Sequence, residues 1–156
     1  MAKPASRTGS TARSWRNRGL YHRLAYGFEE WDANGYLAAD MAILSHLMLA
    51  ANLRLAKGAA EVMHKILFGV AVGSWKGCYG TAHARTQGQY LKDARHEPVS
   101  YIARLMWRVG AWNHGIGSTA AVACSTYQVP AVVAGVVLES PAGMWARQRQ
   151  GLPAGA

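Results

Sequence analysis

Apolar residues recur every three or four positions over much of the chain, which is the spacing of one face of an α-helix. The clearest case runs from about Tyr36 to Lys57, where apolar positions alternate in steps of four and three through nearly three heptads. These positions are Leu37, Met41, Leu44, Met48, Ala51 and Leu55. We predict that they form a helix–helix interface in the core. A seam of this length can also support association between copies of the chain.

Both ends of this long helix carry recognisable signals. Asp32 or Asn34 is expected to cap its start, because short polar side chains accept hydrogen bonds from the first backbone N–H groups. Arg54 and Lys57 are expected to lie in its last turn, where cations complement the negative end of the helix dipole. Gly58 is expected to end the helix.

Three further segments repeat the helical spacing. One is short and amphipathic and lies near the N-terminus, and the others cover about 59–72 and 99–112. Pro98 suits the first turn of the last of these helices, since a missing N–H is tolerated there. The helices on either side of Gly58 are expected to form a hairpin or one kinked helix.

A run of 30 residues, Val109 to Leu138, contains no Asp, Glu, Lys or Arg. Its second part, 116–138, is long enough to span a membrane, which takes about 20 apolar residues. Polar residues interrupt it, however, and Pro130 is expected to kink or end a helix there. A strand after Pro130 is the alternative to a kinked helix. We interpret the run as shielded from water, by protein neighbours in preference to lipid.

These segments predict an all-α fold of about four helices, with an extended basic N-terminal arm and a small-residue, Pro-kinked C-terminal hydrophobic segment. The predicted organisation is a flexible arm over 1–13, a single helical domain over 14–138 and a flexible tail over 139–156. Residues 1–28 contain no apolar region of a secretory signal peptide, so classical secretion is not expected. Their Arg-rich, acid-free composition is also typical of a mitochondrial transit peptide, but we interpret them as a working arm.

The charge balance adds a partner to this picture. The chain has 17 Lys and Arg against eight Asp and Glu, a formal net charge of +9, which predicts attraction to nucleic acid, an anionic lipid surface or an acidic protein. Cations and aromatic rings alternate near the N-terminus, and such rings stack on bases or lie at headgroup depth. The residues assigned to this contact are Arg7, Arg13, Trp15, Arg16, Arg18 and Arg23.

Histidine and cysteine show no metal-binding spacing. None of the six histidines forms an i, i+4 pair or an HExxH motif, although His46 and His64 can approach each other in a hairpin. We expect no metal. Cys78 and Cys124 are predicted to be reduced core residues, with a single disulfide as the alternative.

Candidate catalytic groups are present but poorly arranged. Glu29, Glu30 and Asp32 have the chemistry of a general acid–base pair, yet they lie at a helix end, where a cap and a charge balance for the arm explain them better. Cys78 and His83 lack an evident third group to orient a nucleophile pair. We therefore expect no catalytic residue and no cofactor.

These observations favour a non-enzymatic structural subunit of a larger assembly, which contacts an anionic partner through the arm and buries its uncharged half between subunits. An internal or tail-associated phage virion protein fits, and so does an accessory subunit of a membrane complex. Expected partners are copies of the chain, other subunits, and nucleic acid or an anionic membrane surface, in a virion or at a membrane. The alternative is a stand-alone membrane-active protein, pore-forming or holin-like, with 116–138 inserted in the bilayer. A small enzyme is the third class.

Overall fold

The computed structural model describes residues 18–30, 32–50, 52–93, 95–111, 117–139 and 143–147. Helix α1 covers 18–26 of this part, and the six later helices are α2 (Asn34–Met48), α3 (Leu53–Val72), α4 (Gly88–Lys92), α5 (Ser100–Trp107), α6 (Gly117–Ala123) and α7 (Ala131–Leu138). The prediction of a mainly helical fold is confirmed. The predicted count of about four helices is not, since the described residues contain seven.

Helices α2 and α3 pack as a hairpin, one of the two arrangements expected around Gly58, but α2 ends at Met48 and α3 begins at Leu53, so the two helices do not meet at Gly58. Asn52 begins α3, because its side-chain oxygen accepts hydrogen bonds from the N–H groups of Arg54 and Leu55, both at 3.1 Å. Gly58 lies inside α3, where a Cβ would come 3.5 Å from the side chain of Leu20 in α1. The start of α3 is therefore determined by the N-cap residue Asn52 and not by a glycine.

The start of α2 also differs from the prediction. Its N-cap is Ala33, whose methyl group cannot accept a hydrogen bond. The side-chain oxygen of Asn34 accepts instead from the N–H of Gly35, at 2.9 Å. Asp32 adopts a left-handed backbone with φ of 47°, and its carbonyl oxygen accepts a hydrogen bond from Nδ1 of His83. Asp32 therefore lies in the turn before α2 and Asn34 is the first residue of the helix, while Ala33 occupies the N-cap position between them.

The hydrophobic core lies between the α2–α3 helical hairpin and helices α5, α6 and α7. Helix α2 packs on α3 and α6, α3 packs on α7, and α5 contacts α6 and α7. Of the predicted interface residues, Leu37, Met41 and Leu44 are buried on α2, Met48 is half-buried, and Leu55 is buried on α3. Leu37, Met41 and Leu44 belong to the core cluster and Met48 packs against it, whereas Leu55 lies on the next helix, so the predicted seam is divided between two helices. Ala51 lies outside the described residues.

The second part of the uncharged run folds as two short helices, α6 and α7, separated by residues 124–130. Pro130 stands directly before α7 as its N-cap, so it begins a helix and does not kink one. The Val-rich stretch after it is helical, and the alternative of a strand is wrong. Among the helices of the described residues, none is long and apolar enough to cross a membrane.

A two-stranded antiparallel hairpin follows α3. Strand β1 (Ser74–Trp75) pairs with β2 (Cys78–Tyr79), and the two residues between them, Lys76 and Gly77, have φ values of 50° and 77°. Two positive φ values are the signature of a type I′ turn. Gly77 abuts Gly110, because a Cβ on Gly77 would lie 2.5 Å from the backbone nitrogen of Gly110. This contact ties the start of the uncharged run to the hairpin.

Candidate anionic-partner surface

An open groove of about 880 Å³ runs between α1 and the first half of α3. Helix α1 contributes Arg18, Leu20, Tyr21, His22, Leu24 and Tyr26, and α3 contributes Arg54, Lys57, Gly58 and Glu61. We call this site the α1–α3 groove. Leu20 and Leu24 pack against the core, so the groove has an apolar floor. Three Lys or Arg residues and one Glu surround that floor, which leaves the site cationic.

Helix α1 is held in place by Lys65, a residue of α3. The Lys65 ammonium donates hydrogen bonds to the carbonyl oxygens of Arg23 at 3.0 Å and Leu24 at 2.8 Å. These carbonyls belong to the last turn of α1, where backbone acceptors lack partners within the helix. Burial lowers the pKa of Lys65 below its ordinary value. The link fixes one wall of the α1–α3 groove to the other.

The predicted contact residues have different positions. Arg7, Arg13, Trp15 and Arg16 lie outside the described residues. Arg18 is exposed and lines the groove. Of the predicted contact residues that the structure describes, Arg18 therefore lies at the groove and Arg23 does not.

Arg23 is engaged within the fold. Its guanidinium forms an ion pair with Asp40 of α2, and its central carbon lies 5.3 Å from the centre of the Phe28 ring. Arg23 and Asp40 line a second cavity, of about 330 Å³, together with Glu29 and Glu30. The charge of Arg23 is thus compensated by a neighbouring carboxylate, and this arginine links α1 to α2.

The sequence prediction of the anionic-partner contact did not include Arg54 and Lys57. They were expected at the C-terminus of the long helix, whereas the break at 49–52 places them in the first two turns of α3. The first turn of α3, described in full, contains no acidic residue. Cations at the positive end of a helix dipole repel it and favour an anion nearby. The available signal was Asn52, whose side chain is suited to an N-cap.

A buried carboxylate, Glu97, was also missed. Its side chain accepts hydrogen bonds from the N–H of Val99 at 3.0 Å, the N–H of Ser100 at 2.6 Å and the hydroxyl of Ser100 at 2.8 Å. Glu97 is 1% exposed, and burial raises its pKa, although these hydrogen bonds and His83 act in the opposite direction. The geometry is that of a cap on α5. The only indication of this cap in the sequence was the position of Glu97 directly before Pro98.

The acidic cluster near α2 is paired with the loop after β2. Glu30 forms an ion pair with Arg85 at 3.2 Å, and Arg85 also donates a hydrogen bond to the hydroxyl of Tyr36 at 3.3 Å. Both contacts raise the pKa of Arg85, the Tyr36 hydroxyl more than Glu30. The charge balance expected for Glu30 is therefore supplied by this loop.

His83 is held by neighbouring groups. Its Nδ1 donates to the carbonyl oxygen of Asp32 at 2.9 Å, and its ring centre lies 5.0 Å from that of Tyr79. Tyr79 is buried, and burial, followed by Asp32, raises the pKa of its hydroxyl above the usual range. Cys78 is a half-buried free thiol on β2. Through these contacts, His83 links the turn before α2 to the β1–β2 hairpin.

The other histidines and the second cysteine are placed separately. Nδ1 of His46 donates to the carbonyl oxygen of Ala42 at 2.8 Å, whereas the His64 ring packs on Tyr127 with centres 5.4 Å apart. Cys124 is a free and exposed cysteine, so the prediction of a core position is wrong. Within the described ranges, no group of three or more His, Cys, Asp or Glu side chains is placed to hold a metal ion.

Compared with family models, curated proteins and solved structures, the chain shows no significant match. In the α1–α3 groove, Arg18 from α1 lies together with Arg54, Lys57 and Glu61 from α3, so that residues distant in sequence give the site an excess of positive charge.

Proposed function

We propose that this protein is a non-enzymatic structural subunit of a larger assembly and that the α1–α3 groove contacts an anionic partner. The observation that supports the proposal is the convergence of Arg18, Arg54 and Lys57 around one apolar-floored groove. Clustered cations raise the local concentration of anions and bind phosphate or carboxylate groups. The arm residues Arg7, Arg13, Trp15 and Arg16 precede Arg18 in the chain, and we include them in the same contact.

The subunit role is supported by apolar side chains that remain in contact with solvent. Val132 and Leu138 on α7 are 75% and 55% exposed, and Phe68 on α3 is 50% exposed. The helices that carry these side chains, α3 and α7, pack on each other. Further copies or other subunits would cover them. A virion component and an accessory subunit of a membrane complex both fit this description.

The anionic contact is tested with a double variant, R54Q/K57Q, on a heparin column. Heparin serves as a defined polyanion, and we expect the variant to elute at lower salt than the wild type because two groove cations are removed. The matched control is K76Q/K92Q, which removes two exposed cations that do not line the groove. Equal elution of the two double variants would contradict the proposed site, because loss of net charge alone would then explain the result.

The assembly is tested by measuring the native mass of the purified chain, without and with a polyanion. We expect particles much larger than 16.8 kDa in at least one condition. A monomer in both conditions would sink the subunit role, whatever the heparin column shows.

A further inference from the structure

Two leucines at the corner between α2 and α3 are exposed to an unusual degree. Leu49, the C-cap of α2, is 57% exposed, and Leu53, the first residue of α3, is 85% exposed. Arg54 follows Leu53 directly, and Lys57 lies one helical turn further along the same helix. We call Leu49, Leu53, Arg54 and Lys57 the basic leucine corner. Leu53, Arg54 and Lys57 therefore lie together in the first two turns of α3, and the two cations also line the α1–α3 groove.

This combination discriminates between anionic partners. A nucleic acid would engage the cations and stack a base on an aromatic ring such as Tyr21, which is 74% exposed. It would leave Leu49 and Leu53 without a matching apolar surface, since phosphates are charged and bases offer flat rings. An anionic bilayer uses both kinds of side chain. Lys and Arg lie at lipid phosphates, while leucines enter the boundary between headgroups and acyl chains.

We infer that the basic leucine corner and the adjoining groove dock on an anionic membrane surface. Leu49 and Leu53 enter the headgroup–acyl boundary, Tyr21 lies at headgroup depth, and Arg54 and Lys57 contact lipid phosphates. The inference rests on the proposed function, because it names acidic phospholipid as the anionic partner. It requires no membrane-spanning helix, since docking of this kind places side chains only about 5–10 Å into the boundary between headgroups and acyl chains.

The test is co-sedimentation of the full chain with vesicles of phosphatidylcholine alone or mixed with phosphatidylglycerol. We expect binding to the mixed vesicles. Leu53→Ser should weaken it by about tenfold, from the lost burial of one leucine. Arg54→Gln should weaken it by about fivefold, from the lost attraction of one cation near the surface. Because Leu53 is 85% exposed, the serine variant should keep its helical circular dichroism.

Matched controls carry the same chemical changes elsewhere. Leu91→Ser alters a 61% exposed leucine of α4, and Lys92→Gln removes an exposed cation of the same helix, and neither residue lines the groove. Both should bind mixed vesicles like the wild type. Equal losses for Leu53→Ser and Leu91→Ser would overturn the inference, since general apolar surface would then account for binding.

A parallel measurement with single-stranded DNA separates this inference from the proposed function. If Leu53→Ser binds vesicles normally while R54Q/K57Q still elutes early from heparin, the membrane inference is wrong and the anionic groove stands. Tight DNA binding that depends on Arg54 and Lys57, without vesicle binding, would identify nucleic acid as the partner instead. If R54Q/K57Q behaves like K76Q/K92Q towards every polyanion, both proposals fail.

Discussion

The basic leucine corner contains two cations and the run from Val109 to Leu138 contains no charged residue, yet exposed and buried apolar side chains occur in both regions. At the corner, Leu53 is 85% exposed, whereas Leu55, on the other side of Arg54, is 8% exposed. In the run, Val132 is 75% exposed, whereas the next residue, Val133, is 5% exposed. The number of charged residues in a segment therefore does not determine how far its apolar side chains are exposed to solvent. The neighbouring helices determine that exposure.

The buried side chains in the described part of the uncharged run pack against other helices of the chain. Helix α6 packs on α2, and α7 packs on α3, so the inward faces of both short helices join the core. The sequence interpretation favoured protein over lipid as the shield, and the buried faces have protein around them. The inward faces of α6 and α7 are covered by helices of the same chain. Outward residues such as Val132 on α7 stay exposed and are available for contact with other subunits.

The largest expected effect comes from placing the same charge on either face of α7. Val133→Asp should lower the free energy of unfolding by about 4 kcal/mol, because an unpaired carboxylate would enter the core. Val132→Asp, at a 75% exposed position, should change it by no more than about 0.5 kcal/mol. Urea unfolding followed by circular dichroism measures both. Similar losses for the two variants would show that the faces of α7 are not differently shielded.

An intermediate effect is expected at the link between the groove walls. Lys65→Met removes two hydrogen bonds from a charged donor to the last turn of α1, and should destabilise α1 by about 2 kcal/mol. Hydrogen exchange of residues 18–26 should speed up accordingly, and elution from heparin should shift to lower salt as the groove loses one wall.

Lys57→Met is the matched variant for this experiment, since Lys57 is an exposed lysine of the same helix that lines the groove. It should lower the salt needed for elution and leave the exchange of residues 18–26 unchanged. Unchanged exchange in Lys65→Met as well would show that α1 does not depend on this link.

The smallest expected effect concerns the buried carboxyl group of Glu97. Burial raises the pKa of Glu97 above 4.5, so the folded protein takes up this proton at higher pH than the unfolded chain. The contribution of Glu97 to the free energy of unfolding therefore falls as the pH rises above about 4.5. Glu97→Gln removes the titration. Urea midpoints of the two proteins across this pH range should show a difference that moves against the wild type with rising pH, and an opposite trend would contradict the raised pKa.

Helix formation was largely predictable from the sequence, and helix limits were not. The apolar spacing of α2 and α3 was read correctly, because each helix buries a stripe of its own side chains. The break at 49–52 was missed, since the segment contains no glycine or proline and depends on one cap, Asn52. Because of this error, Arg54 and Lys57 were expected at the end of a helix, whereas they lie at the start of α3 and line the groove.

The anionic-partner contact assigned from the sequence stays a prediction, and the positions of its residues depended on the fold. The sequence pointed to Arg18 within a basic, aromatic arm, and this residue lines the groove. It also pointed to Arg23, which pairs with Asp40 in the structure. Ion pairing between α1 and α2 depends on where both helices lie, and no local pattern reports that arrangement.

By itself, then, the sequence determined that this protein is mainly helical, strongly basic and apolar along defined helix faces, since periodicity and charge are properties of local sequence. The tertiary structure decided which apolar residues are covered and which cations converge. Val133 is buried and Leu53 is exposed because neighbouring helices cover one and not the other. Arg18 and Lys57 meet at one groove because α1 is fixed on α3, and such contacts arise only when the helices are packed together.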